Sequence, residues 1–260
     1  MTEILQNIID EYKKFDETVS IGIGGSSASN YSDNESDIDI YIFIEKDIDI
    51  KKRNKLVKKY STKYETGCEY FGSGDEFLVD KLNKQLDIMY FNKDWFEDIF
   101  NSVLIKHTPS NGYTTCFLYT LSVLDIVYDK NNWLNNLKNA LHTQYPKELE
   151  ENIIKRNLAL LKDKPFASYY EQINKAVKRN DLNSVNHRVS AFLASYFDII
   201  FAKNKLLHPG EKRLVQYAIQ NCKILPEDFE KNINNLILSN ITQKIKTLDD
   251  MIEKLRKIIV

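Results

Sequence analysis

Between Val19 and Ile44 the chain spells strand, glycine turn, strand, and few folds accommodate that string. Val19 to Ile23 is short, apolar and β-rich, and it runs directly into Gly24-Gly25-Ser26. That reads as a strand entering a tight turn. Ser26 to Tyr31 has the length of one short helical turn. From Asp37 to Ile44 the residues alternate. Ile38, Ile40, Ile42 and Ile44 share one face of a strand, and Asp37, Asp39, Tyr41 and Phe43 share the other.

Two acids on one strand face are a charge problem that suggests its own solution. Residues two apart lie about 6.6 Å from each other along a strand, so the Asp37 and Asp39 carboxylates are able to lean toward a common point. Bare carboxylates about 4 Å apart repel by roughly 4 kcal/mol at an effective dielectric near 20. A cation between them reverses the sign of that term, and Mg²⁺ suits the task because it takes a few carboxylates and completes its shell with water and phosphate oxygens. Asp47-Ile48-Asp49 repeats the pattern as a decoy. It has no glycine-serine turn at matching distance upstream, and an isolated Asp-x-Asp is ordinarily an acidic strand edge facing water.

The turn adds the complementary half. Without a Cβ, Gly24 and Gly25 let backbone N–H groups approach phosphate oxygens, and a helix opening at Ser26 would add donors. Most Gly-Gly-Ser triplets are simple turns. This one is neither a Walker loop nor a dinucleotide fingerprint. A third carboxylate, Asp87, sits inside the apolar run Leu86 to Phe91. Buried there it needs a partner or a metal. It is a candidate third ligand, or the base that takes a proton from an acceptor hydroxyl.

Strand signals stop near residue 110, and helical periodicity takes over from Thr114. Helices are expected over Thr114–Tyr128, Trp133–His142, Lys147–Leu161, Phe166–Arg179, Leu182–Asn204, Gly210–Asn221, Glu227–Leu238 and Thr242–Ile258. The last shows Ile245, Leu248, Ile252, Leu255 and Ile259 on one face. The expected architecture is α+β. Residues 1–110 form a mixed sheet flanked by helices and residues 111–260 an all-α bundle, with a hinge at His107–Gly112 and the active site in the cleft between them.

Composition excludes some partners. The formal net charge of −1 over 260 residues supplies no global field toward nucleic acid or membrane. No apolar run reaches the roughly 18 residues a membrane span needs. Met1 to Leu5 lacks the basic-then-apolar layout of a signal peptide. Cys68, Cys116 and Cys222 are odd in number and far apart, which points to reduced thiols in the cytoplasm. The four histidines show no metal spacing. Lys51, Lys52, Arg53, Lys55, Lys58 and Lys59 form a basic run, read either as a solvated helix face or as an RNA contact.

Gly25-Ser26, Asp37-Ile38-Asp39 and Asp87 stand in the order that marks the nucleotidyltransferase superfamily of DNA polymerase β. The chain resembles that superfamily, and within it the bacterial aminoglycoside and lincosamide nucleotidyltransferase-like proteins. The specific motif covers the first ~110 residues. The helical half resembles them loosely, through Phe201 to Lys205 and His208 to Arg213, and no basic residue follows the Gly-Ser turn, where many relatives have one. The resemblance implies transfer of a nucleoside monophosphate, AMP from ATP, to a hydroxyl, with pyrophosphate leaving. It implies one or two Mg²⁺ ions on Asp37, Asp39 and Asp87. The triphosphate would be held by Gly24, Gly25, Ser26 and Ser36, with Lys212 clamping it. The acceptor stays open: a small molecule such as an antibiotic, or a protein or tRNA as in toxin-type enzymes. A nucleotide-binding regulator without turnover is the alternative of a different class. Some relatives of this layout are homodimers.

Overall fold

The computed structural model describes residues 1–24, 37–70, 72–141 and 145–259. The chain divides into two compact units, Met1–Phe100 with Thr120–Thr143, and Asn101–Tyr119 with Gln144–Val260.

The first unit opens with helix α1, Glu3–Tyr12, capped where the Thr2 hydroxyl accepts the Leu5 N–H at 3.3 Å. Strands β1 (Thr18–Gly24) and β2 (Ile38–Ile44) follow, then α2 (Ile50–Val57), β3 (Lys63–Cys68), β4 (Gly74–Val79) and β5 (Lys84–Asn92). After α3 (Lys93–Leu104) and α4 (Cys116–Val123) come β6 (Asp125–Asp129) and α5 (Trp133–Ala140). The sheet has six strands in the order β3-β4-β5-β2-β1-β6. Of its pairings, β2 with β5 is parallel and the other four are antiparallel.

The alternation read from the sequence explains both faces. Ile40, Ile42 and Ile44 join Leu86 and Ile88 against Leu5, Ile8, Ile9 and Tyr12 of α1 in one buried core. Their neighbours turn to the opposite face, where Phe43 meets Phe96 of α3 at 5.0 Å and Trp133 of α5 at 5.4 Å, ring centre to ring centre. Aromatic pairs at such spacing add about 0.5–1.5 kcal/mol each beyond the area they bury. Trp133 thus serves as a core aromatic, and its indole N–H donates to Glu97 at 2.5 Å.

Two corrections to the sequence reading concern this sheet. The helix expected to run from Thr114 to Tyr128 ends at Val123, and Asp125–Asp129 is a strand. Its centre, Ile126-Val127-Tyr128, is β-branched and aromatic, and it covers the edge of β1 with Ser20 opposite Asp129 and Ile23 opposite Asp125. Asp129 then accepts the N–H groups of Leu134 and Asn135, both at 2.9 Å, to start α5. The hairpin β3–β4 was not anticipated. Its alternation is short and polar on one side, so the sequence carries little periodic signal.

The second unit is helical. It contains α6 (Lys147–Leu158), continued by a π-turn over Ala159–Asp163, then α7 (Tyr169–Lys178), α8 (Leu182–Lys203), α9 (Leu214–Asn221), α10 (Phe229–Leu238) and α11 (Lys244–Ile259). Helix α8 buries Val185, Val189 and Phe192 along one face and is buried on all sides from Ser195 to Ala202, as the inner end of a central helix must be. It packs on α6 and α7, while α10 packs on α11. Helix α9 begins at Leu214 rather than Gly210, because Gly210 and Arg213 both take positive φ, at 98° and 55°.

Candidate functional site

The parallel pairing of β2 with β5 brings the predicted carboxylates together. Asp39 stands opposite Asp87 in register, followed by Tyr41 opposite Met89 and Phe43 opposite Phe91. Partners in register share a sheet face, on strands about 4.8 Å apart. The stacked rings of Tyr41 and Phe91, 5.8 Å apart, lie on that face. Asp37 precedes Asp39 by two residues, just before β2 begins, and is exposed, whereas Asp39 and Asp87 are half-buried. Gln85 donates its amide N–H to Asp87 at 2.8 Å, which orients one carboxylate oxygen. Burial, and after it the Asp39 charge, pushes the Tyr41 phenol well above its ordinary range.

Gly24 ends β1 directly opposite Asp39. A Cβ there would lie 2.6 Å from Cε2 of Tyr41, so the position is held to glycine by its neighbour on β2. Gly25, Ser26 and Ser36, and the short helical turn expected over Ser26–Tyr31, lie outside the described residues.

Sequence reasoning missed the continuation of the acidic row. Glu76 of β4 pairs with Asp87, and Glu65 of β3 pairs with Glu76. Four carboxylates, Asp39, Asp87, Glu76 and Glu65, therefore cross four strands on one face. The signal was present in the alternation of Asp75, Phe77 and Val79 against Glu76 and Leu78, but without the pairing register it points nowhere. Asp75 faces the other way. Fully buried, it accepts the Tyr90 hydroxyl at 2.7 Å and the Gly67 N–H at 2.8 Å, with Nη1 of Arg53 at 3.7 Å.

Among the described residues, no group of three or more His, Cys, Asp or Glu is gathered closely enough to hold a metal ion alone. The donors that do stand side by side, Asp39 and Asp87, are hard oxygens, the ligand type of a cation such as Mg²⁺ that takes one or two carboxylates and draws its other ligands from phosphate and water.

The basic candidates separate. Lys52 pairs with Glu17 at 3.1 Å and Lys59 with Glu11 at 2.6 Å. Arg53 is 7% exposed and lies 4.6 Å from the centre of the Tyr90 ring. Lys51, Lys52, Lys55, Lys58 and Lys59 are exposed, and only Arg53 of the run turns inward. Lys212 belongs to the second unit, in an exposed turn before α9. His208 is fully buried, with its backbone N–H donating to the Thr115 hydroxyl at 2.8 Å, and burial pushes its imidazole down to about 4. Among the described residues no helix is long and apolar enough to cross a membrane.

No protein-family model matches the chain. No curated protein sequence matches it either. Solved structures do. One is a nucleotidyltransferase-like protein from Exiguobacterium sibiricum, at 14% identity and a TM-score of 0.49, covering 97% of this chain and 73% of that one. Another is a STING-associated CdnE c-di-GMP synthase from Capnocytophaga granulosa, at 13% identity and a TM-score of 0.31, covering 98% of this chain and 78% of that one. A third is the CCA-adding enzyme of Thermotoga maritima complexed with tRNA, at 8% identity and a TM-score of 0.29, covering 100% and 82%.

Proposed function

We propose that this chain is an Mg²⁺-dependent nucleotidyltransferase that moves a nucleoside monophosphate, AMP from ATP, to the hydroxyl of a small acceptor. The observation that carries the reading is the in-register pair of Asp39 and Asp87 on parallel strands, with Asp37 two residues before and Gly24 opposite. Like charges side by side repel, and a cation between the two carboxylates would reverse the sign of that term.

Asp37 and Asp39 would hold the ion that accompanies the triphosphate, with Asp87 beside them. Bound there, Mg²⁺ would neutralise charge on the departing pyrophosphate. The bond that forms joins the acceptor oxygen to the α-phosphorus, and the bond that breaks joins that phosphorus to the bridging oxygen of the pyrophosphate. The acceptor proton passes to Asp87, whose orientation the Gln85 amide sets. The backbone of Gly24, Gly25 and Ser26 would hold the β- and γ-phosphates, assisted by Ser36.

A small acceptor is favoured over RNA because Lys52, Arg53 and Lys59 already have acidic or aromatic partners. A basic surface that must neutralise phosphates keeps its cations available. The experiment is thermal melting with ATP, GTP, CTP and UTP, each with and without Mg²⁺, followed by pyrophosphate release in an acceptor screen. A ligand at 100 times its Kd stabilises by about 2.7 kcal/mol. An Mg²⁺-dependent shift that disappears in Asp39→Asn supports the reading. A nucleotide shift without pyrophosphate release from any acceptor supports the non-catalytic regulator instead, and no shift with any nucleotide sinks both.

A further inference from the structure

The helical unit contains an opening of its own. A cavity of about 790 Å³ lies among α8, α9 and α10 and the segment before α4. That is the size of a site for a small organic molecule, about 300–1,000 Å³. Leu193 and Phe197 of α8 and Ile233 and Ile237 of α10 give it an apolar lining. Ile237 is 52% exposed, so part of that lining faces open space.

The charged groups around the cavity are Glu211, Glu230 and Arg213, one negative charge in excess. Glu211 and Glu230 form no ion pair among the described residues. Arg213 has interactions of its own. Tyr113 and Glu211 line the same cavity, and burial, followed by the Glu211 charge, pushes the Tyr113 phenol up.

Tyr113 is also held in an unusual way. Its φ is 56°, a conformation that bulky residues rarely adopt. The residues on either side are pinned. Gly112 donates its N–H to Asn157 at 3.0 Å, and a Cβ on it would lie 2.8 Å from Ala194. Thr114 donates its N–H and hydroxyl to Asp198 at 3.1 and 2.6 Å, and Asn157 donates to the same carboxylate at 3.0 Å. A strained aromatic residue is thus fixed between two anchored neighbours at the cavity lining, its ring centre 4.6 Å from that of His208.

We propose that this cavity binds a small organic cation with an apolar body. The ammonium would sit against the Tyr113 ring and the two free carboxylates, and the hydrocarbon would lie on Phe197, Ile233 and Ile237. An aromatic face attracts a cation most strongly where water is excluded. Two carboxylates select a cation against a neutral or anionic isostere. The inference stands independently of metal binding on the sheet.

The test is calorimetric titration of the full chain with 4-phenylbutylamine, 4-phenylbutanol and 4-phenylbutyrate. These probes differ in charge and little in shape. The amine is expected to bind at least about tenfold more tightly than the alcohol, and the acid most weakly of the three. In the double variant Glu211→Gln with Glu230→Gln, the amine should fall to the level of the alcohol. Both positions are exposed, so the fold is retained. Asp39→Asn should leave the preference intact, so a failure here is distinguishable from a failure of the transferase reading. Equal affinities for all three probes, no binding of the amine, or a preference that survives the double substitution overturns the proposal.

Discussion

Under the proposed function, Asp39 and Asp87 make opposite demands on stability and on activity. Side by side in register, they repel in the absence of a cation, and like charges directly opposite in a sheet cost about 0.2–1 kcal/mol. Removing one is therefore expected to stabilise the ligand-free protein slightly while destroying the site. For Asp87→Asn we expect a melting temperature equal to or above that of the wild type without Mg²⁺, and transfer activity lower by at least about 100-fold, roughly 2.7 kcal/mol of transition-state stabilisation. Melting and pyrophosphate release on the same preparations check both halves. A variant that melts early and retains transfer would show that the carboxylate is a structural group.

At the scale of elements, two buried polar groups fasten secondary structure together. Arg53 of α2 meets Asp75 of β4 at 3.7 Å, with side-chain exposures of 9% and 0%. Burial pushes the Asp75 carboxyl up despite its partners. Arg53→Met leaves that carboxylate buried without its cation and is expected to cost about 3–5 kcal/mol. Arg53→Met with Asp75→Leu should recover most of it, because a matched apolar pair avoids the desolvation penalty. Urea unfolding of both variants decides the point.

In the second unit, Asp198 and His208 act on stability with opposite signs. Burial raises Asp198 from 3.8 to about 6, so its contribution is present below pH 4 and lost as pH rises to 6. Burial lowers His208 from 6.5 to about 4, so its contribution is present above pH 6.5 and lost as pH falls to 4. Each amounts to about 3 kcal/mol over nearly the same window. The two slopes should largely cancel in the wild type. Asp198→Asn is expected to expose a stability that climbs from pH 4 to 6, and His208→Asn one that falls. Chemical denaturation at intervals across that range checks the signs, and parallel curves for all three proteins would refute the account.

At the scale of the molecule, the chain does not finish its sheet before it starts its helices. Strand β6 returns to pair with β1 after α4 has been made, and Thr120–Thr143 belongs with the first unit. A fragment of residues 1–110 would leave β1, Thr-Val-Ser-Ile-Gly-Ile-Gly, as an unprotected apolar edge. We expect that fragment to aggregate and a fragment of residues 1–143 to stay dispersed with its sheet intact. Light scattering and circular dichroism compare them directly. Equal solubility would mean that β6 contributes little to closing the edge.

What the sequence determined by itself is local. The alternation of Asp37–Ile44 sets which side chains share a face, because a strand has a period of two whatever it pairs with. The apolar stripes set the helices of the second half, since a helix needs only its own periodicity to be recognised. What only the tertiary structure decided is non-local. That Asp39 meets Asp87 depends on a parallel register between strands separated by α2, β3 and β4. The same register recruits Glu76 and Glu65. Arg53, one cation among six in a basic run, is buried because the pitch of α2 turns it inward onto Tyr90 and Asp75, while Lys51 and Lys55 remain exposed. Strand β6 reads as a continuation of helix until an open edge is available to pair with it. Periodicity is written within each segment, but pairing is a choice among segments, made by the burial and hydrogen bonding of the whole sheet.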